Sequence, residues 1–165
     1  MVMPVHLFIE DDQGNALCGS CTVADRICSI EVITLSHGLT LPIDRATGKV
    51  TGHRSHMPFV IERAIDRATP LLHQTFIDAR TVQSVGARSY HMTNAGKEEP
   101  CYSIPLTGVK IAATSPLVAN NNESNRRHYD HTELVELCYE GITWHFDDSI
   151  LKVSNSLDRV REARA

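Results

Sequence analysis

No apolar run in this 165-residue chain approaches the ~20 residues of a membrane-spanning helix, so insertion into a membrane is not expected. The N-terminal Met1-Val-Met-Pro-Val-His6 lacks a basic start and a long apolar stretch, so a cleaved leader of the usual kind is not expected. Basic residues are not in excess: 16 Lys and Arg face 20 Asp and Glu, a formal net charge of −4. That balance gives no clustered basic footprint for nucleic acid. The chain contains no G-x-S-x-G elbow and no phosphate-binding glycine loop. It also lacks internal repeats and low-complexity tracts. The expectation these absences leave is a protein made and kept in the cytoplasm unless a dedicated machine exports it.

Five cysteines are present, at 18, 21, 28, 101 and 138. An odd count without a leader argues against a disulfide framework. Cys18-Gly-Ser-Cys21 has the spacing of half a zinc site, but no second pair follows at finger-like spacing. A redox C-x-x-C opens a helix after a strand; this one lies between a Gly-Asn turn and the β-rich Cys21-Thr-Val. Reduced, free thiols are therefore expected. The nine His are read as solvated surface or strand side chains.

What is there reads mostly as strand. Val5, Leu7 and Ile9 alternate with His6, Phe8 and Glu10, a period of two. A turn cluster, Asp11 to Asn15, follows. Ser29 to Ser36 reads as one strand, with Ile30, Val32, Thr34 and Ser36 on one face and Glu31, Ile33 and Leu35 on the other. The segment from Gly38 to Met57 has no clear period and is too long for an ordinary connector. Leu39, Leu41, Ile43 and Val50 argue against disorder there, so it is read as an extended arm that packs on something. Phe59 to Ile65 follows as a strand with Phe59, Ile61 and Arg63 on one face. A helix is predicted from Thr69, as N-cap, with Pro70 first and Leu71, Leu72, Thr75, Phe76 and Ala79 as its apolar stripe. Val82 to Met92 and Pro100 to Ala113 form a hairpin around Thr93-Asn-Ala-Gly-Lys97, with Pro105 marking a bulge or edge. Glu133 to Phe146 is one long strand and Ile150 to Ser156 a short one. Residues 157–165 form a charged tail. Many strands and one helix predict a mainly β fold: a compact β-barrel or two-sheet sandwich with one flanking α-helix, in a single domain spanning 1–165.

Candidate chemistry is sparse. His128-Tyr-Asp-His131, with Glu133 and Glu136, is the arrangement closest to a cupin-like metal site. A cupin needs His-x-His, however, and residues three apart on a strand point to opposite faces. Ser36-His37 and Ser55-His56 are adjacent pairs and make no dyad. Glu98-Glu99 beside its turn is read as a solvated charge pair. No catalytic residue, metal or cofactor is expected.

Three stretches carry a family resemblance: Met3-Pro-Val-His-Leu-Phe-Ile9, the segment from Thr47 to Leu72, and Glu133-Leu-Val-Glu-Leu-Cys-Tyr-Glu-Gly-Ile-Thr-Trp144. In the middle one a polar loop, an apolar run and a Thr-Pro helix start follow in an unusual order. Together they resemble the Hcp family, the ring-forming tube proteins of bacterial type VI secretion systems. The resemblance implies a β-barrel flanked by a helix that assembles as a homo-hexameric ring. It implies stacking of rings into an inner tube beneath a VgrG-type spike and inside a contractile sheath. Secretion without a leader, and effectors sheltered in the lumen, follow from it too. Ile33-Thr-Leu-Ser-His-Gly38 matches the family strand whose small polar residue faces the lumen, which assigns Ser36, with Thr34 on the same face. Leu39, Leu41, Ile43, Val50, His53, Arg54 and His56 are then the expected interface and stacking residues of the arm. The rival expectations are a cupin-like metal-dependent enzyme using His128, His131 and Glu136, and a monomeric binding module.

Overall fold

The computed structural model describes residues 3–118, 131–146 and 152–156. Eleven strands and one α-helix are seen among them. β1 (Val5–Glu10) lies between β2 (Ile30–Val32) and β7 (Val82–Met92). The order continues through β8 (Glu98–Val118), β9 (His131–Cys138), β6 (Phe59–Ala64) and β3 (Thr34–Ser36), with every neighbour antiparallel. β10 (Gly141–Phe146) pairs with the first half of β8 and with β11 (Lys152–Ser156). The two ends of this order, β2 and β3, are consecutive in the chain, so the path returns on itself and makes the barrel.

The barrel closes because three segments cross between its two sheets. β8 pairs with β7 and β10 up to Val109 and with β9 from Lys110. Gly108 sits at that crossing with φ +58°, where a Cβ would meet the Glu140 carboxylate. The second crossing is at Ile33, whose N–H bonds to the Glu62 carbonyl at 2.8 Å. Ser29 to Ser36 is therefore two strands, not one. Ile30 and Val32 point into the core, but after Ile33 the inward residue is Leu35, and Thr34 and Ser36 are exposed. The third crossing divides the expected long strand from Glu133 to Phe146 at Tyr139 and Glu140. Pro105 is at neither register shift: it stands opposite Gly86, while the shifts fall at Ser89/Tyr90 and Ile111/Ala113.

α1 spans Thr69–Ile77 with Pro70 in its first turn. Thr69 is inside the helix and is not its N-cap. The entry is held by Asp66: its carboxylate accepts the Ala68 N–H at 2.8 Å, and its own N–H donates to Thr69 Oγ at 3.1 Å. Only the strip Thr69, Leu72 and Thr75 is buried. Leu71 and Phe76, expected in the apolar stripe, are exposed because the helix touches the barrel along one narrow line.

The core holds two opposed charges. Arg63 and Glu133 are both 0% exposed and form a direct ion pair. Arg63 also pairs with Asp66 and donates to Thr69 Oγ at 3.2 Å. Glu133 further accepts from Thr69 at 3.1 Å and lies 3.2 Å from His73 Nε2. The network ties β6, β9 and the start of α1 into one unit, and it removes Glu133 from any metal set.

Two further expectations are overturned at the chain's start. Cys18 and Cys28 are joined in a disulfide. A short 3₁₀ turn at Ala24–Arg26 folds the segment back, and Gly19 N–H bonds to Cys28 O at 2.9 Å. That brings the two Cα atoms to 4.3 Å, close to the short end of the distances disulfides usually span. Cys21, which follows in irregular backbone and not in a strand, and Cys138 keep free thiols. Glu98 is no solvated charge: it pairs with Arg26, which is buried and stacked 4.5 Å above the Tyr90 ring. Beside them His6, 4% exposed, shares a 2.9 Å hydrogen bond with Ser29. Burial, and then the Arg26 charge, push the His6 imidazole down to about 4.

Candidate functional site

The site begins on the outer face of one sheet. Thr34 and Ser36 stand on β3 in register with Glu62 and Val60 of β6. The same two rows continue to Leu134 and Glu136 of β9, and to Ser115 and Ala113 of β8. Residues directly opposite in antiparallel strands share a face, so Ser36, Val60, Glu136 and Ala113 form one transverse row of the outer wall. Thr34, Glu62, Leu134 and Ser115 form the next. The opposite face of these strands carries Leu35, Phe59, Ile61, Val135 and Leu137. Glu62 is pinned by hydroxyls from Thr34 at 3.4 Å and Thr132 at 3.2 Å. This wall mixes small hydroxyl side chains (Thr34, Ser36, Ser115) with two carboxylates (Glu62, Glu136) and the apolar Val60, Leu134 and Ala113.

Ser36 leads directly into the arm. The segment from Gly38 to Met57 is an ordered hairpin. β4 (Leu39–Thr40) pairs with β5 (Ser55–His56), and Ile43 bridges to Val50 beyond them. At the root of the hairpin Met57 N–H donates to Gly38 O, and between the two pairings Thr51 N–H donates to Pro42 O, each at 2.9 Å. The tip turns on Asp44, whose carboxylate accepts from Thr47 Oγ at 2.8 Å and Ala46 N–H at 2.9 Å. These bonds, the Thr47 hydroxyl first, hold that carboxyl below its usual range. Gly48, at φ +68°, completes the turn. A two-stranded hairpin is marginal alone. Yet Leu39, Leu41, Ile43, Val50 and Met57 each expose 47–58% of their surface. His53 is exposed, and Arg54 reaches Asn155 of β11 at 3.0 Å.

The arm is fastened at its root by a cluster that sequence reading did not find. Tyr139 Oη lies 2.6 Å from His37 Nε2 and 2.6 Å from His56 Nδ1. Phe59 and Trp144 pack against His37, with ring centres 5.6 and 6.3 Å away. These two histidines, expected as solvated surface or strand side chains, are partly buried around one hydroxyl, and His56 of β5 belongs to the root of the arm. Burial first, then mutual charge, lowers His37; burial first, then Arg54, lowers His56. Burial, with Cys138 beside it, pushes the Tyr139 hydroxyl up to about 12. The signal in sequence was only the order Ser-His-Gly, Ser-His-Met and Cys-Tyr-Glu, and nothing local joins them.

The residues of the metal alternative are dispersed. His131 is exposed at the first position of β9, Glu136 is on the outer wall, and His128 lies outside the described residues. Among the described residues no three His, Cys, Asp or Glu side chains converge on one point.

Comparison with known proteins agrees with this architecture. The family described as "Type VI secretion system effector, Hcp" matches residues 7–146. A Pseudomonas aeruginosa protein called "Major exported protein" is 30% identical over 137 residues, covering 83% of this chain and 77% of that one. Among solved structures, a tryptophan variant of Hcp1 from the E. coli EAEC 042 pathovar superposes with a TM-score of 0.83 at 35% identity, covering 94% of this chain and 99% of that one. The Pseudomonas aeruginosa secreted protein Hcp3 superposes at 0.73, with 20% identity over 94% of this chain and 98% of that one. With a match running from β1 to β10 and a barrel that superposes along nearly its full length, the chain belongs to the Hcp family of type VI secretion system proteins.

Proposed function

We propose that this protein works by assembling: a homo-hexameric ring, stacked with others into the inner tube of a type VI secretion system. The chain acts as one tube domain in this reading and performs no bond-making chemistry. It resides in the cytoplasm until the tube is fired beneath a VgrG-type spike by the surrounding sheath, and then leaves the cell. The export is that of its Pseudomonas relative, carried over by likeness. The observation that carries the reading is the arm. An ordered hairpin with five half-exposed apolar side chains needs a cover, and a neighbouring copy supplies one. A ring requires one surface to meet a different surface on the next copy through a rotation that closes. The arm, with Leu39, Leu41, Ile43, Val50, His53 and Arg54, is the projecting half of that contact.

The outer wall of Thr34 and Ser36 is then the lumen lining. Its small hydroxyl side chains suit a channel that holds effectors without gripping them. Ser36→Gln adds bulk and hydrogen-bonding groups at this wall, repeated once per subunit. Substitutions at such exposed strand positions usually change stability by less than about 0.5 kcal/mol. Ring size in solution should be unchanged while co-purification of an effector falls. If the ring breaks instead, Ser36 belongs to an interface and the lumen assignment is wrong.

A further inference from the structure

We propose that His37, Tyr139 and His56 form a proton-operated clamp that holds the arm to the barrel while both imidazoles are neutral and releases it in acid. The geometry is specific. Tyr139 Oη has one proton and faces two ring nitrogens, each 2.6 Å away. With two neutral imidazoles both contacts are satisfied: the hydroxyl donates to one ring, and the other ring's N–H donates to the hydroxyl oxygen. With two imidazolium ions both nitrogens donate, and the hydroxyl proton has no acceptor between them. The two rings are centred 6.4 Å apart, so their charges also repel. His56 carries a second constraint. Its Nε2 is buried with no hydrogen-bond partner. The neutral arrangement that suits it puts the His56 proton on Nδ1, donating to Tyr139 Oη, which donates to His37 Nε2. His56 Nε2 is then a bare lone pair, whereas as the N–H of an imidazolium it strands a donor.

Three parts of the chain meet here. His37 ends the lumen-facing strand and begins the arm, His56 ends the arm, and Tyr139 is the crossing between β9 and β10. Opening the cluster therefore removes the anchor shared by both legs of the hairpin and leaves the exposed Arg54–Asn155 hydrogen bond as a remaining side-chain tie. The groups facing it are few. Phe59 of β6 and Trp144 of β10 are apolar walls. Leu39 and Thr40 of β4 carry no charge. Arg54 acts on His56 with a positive field, and Cys138 acts on Tyr139. Among the described residues no carboxylate forms an ion pair with either imidazole. Nothing there rewards a positive charge.

The sign follows. Both folded imidazoles titrate below the ordinary 6.5 of the released arm. The released form takes up protons at a pH where the clamped form does not. The clamp is complete above pH 6.5 and is lost as pH falls below it, through the lower folded values. Tyr139 keeps its proton throughout, so only the histidines respond.

Its consequence for assembly rests on the arm reading proposed above; the clamp itself does not. The test is amide hydrogen exchange of the purified full chain at pH 7.5 and 5, each corrected for intrinsic rates. The amides of Asp44, Thr51 and Met57 report the arm and those of β7 serve as reference. Protection of the arm should fall several-fold at pH 5 while β7 is unchanged. The double variant H37Q/H56Q should exchange equally at both values, and Y139F should already be less protected at pH 7.5. Equal arm protection at both pH values, or the same pH dependence in H37Q/H56Q, overturns the clamp. Particle mass is recorded alongside. A ring that dissociates in acid with its arm still protected overturns the clamp and leaves the ring standing. A monomer with a pH-sensitive arm does the reverse.

Discussion

Arg63→Ala is expected to destabilise the fold by about 3–5 kcal/mol, because it leaves the Glu133 carboxylate buried without its guanidinium partner. Stability of a single domain is typically about 5–15 kcal/mol, so this one change removes a large part of it. The effect is not local. Asp66 and Thr69 lose the guanidinium that positions them, and those two residues shape the entry of α1. The double change R63M/E133L should be far milder than R63A, because two apolar side chains of similar volume replace two compensated charges. Urea unfolding of the three proteins at pH 7 checks this. If R63A costs under about 1 kcal/mol, or the double variant costs as much as R63A, the network is not what secures β6 to β9.

Deleting Ile43 to Thr51 should leave the barrel intact and weaken association between copies. The removed segment is the arm's tip, bounded by the Ile43–Val50 bridge. The His37–Tyr139–His56 root lies outside it, so folding is spared. Ile43 and Val50 are 50% and 58% exposed. Covering that remaining half contributes roughly 0.75 to 1.5 kcal/mol for each, or ~1.5–3 kcal/mol per contact. One factor of ten corresponds to about 1.4 kcal/mol. Dissociation constants should therefore rise between about tenfold and a hundredfold per contact, with thermal unfolding of the barrel nearly unchanged. Light scattering across a dilution series reads the first quantity and calorimetry the second. Undiminished association places the interface elsewhere.

Much of the barrel was legible because its strands keep a strict period of two. β1 and β6 fall where the alternation places them, β7 has the predicted bounds, and the Thr93 to Lys97 turn has glycine where φ must be positive. The start of α1 was visible from Thr-Pro, but its cap was not, since Asp66 acts from three residues upstream. The crossings were illegible for a different reason. At Ile33 and at Tyr139–Glu140 the local pattern remains strand-like on both sides, while the inward face or the partner strand changes. Only long-range pairing reveals that. Arg63 was placed on the correct face with Phe59 and Ile61, yet its burial depends on Glu133, 70 residues away. Charged residues carry no burial signal of their own. The disulfide was missed because the count of cysteines says nothing about which backbones a tight turn brings together. Leu39, Leu41, Ile43 and Val50 argued against disorder in the arm and for an extended segment that packs on something; it is an ordered hairpin whose apolar side chains stand about half exposed. Its root was hidden because His37 and His56 meet Tyr139 from 102 and 83 residues away.

The central claim is that this chain functions as a ring of identical copies. Light scattering after size exclusion, at micromolar concentration and pH 7.5, measures it most directly. A mass near six times the 18.3 kDa of one chain is predicted, with sixfold rings in electron micrographs of the same fraction. A stable species of 18.3 kDa across that concentration range contradicts the account.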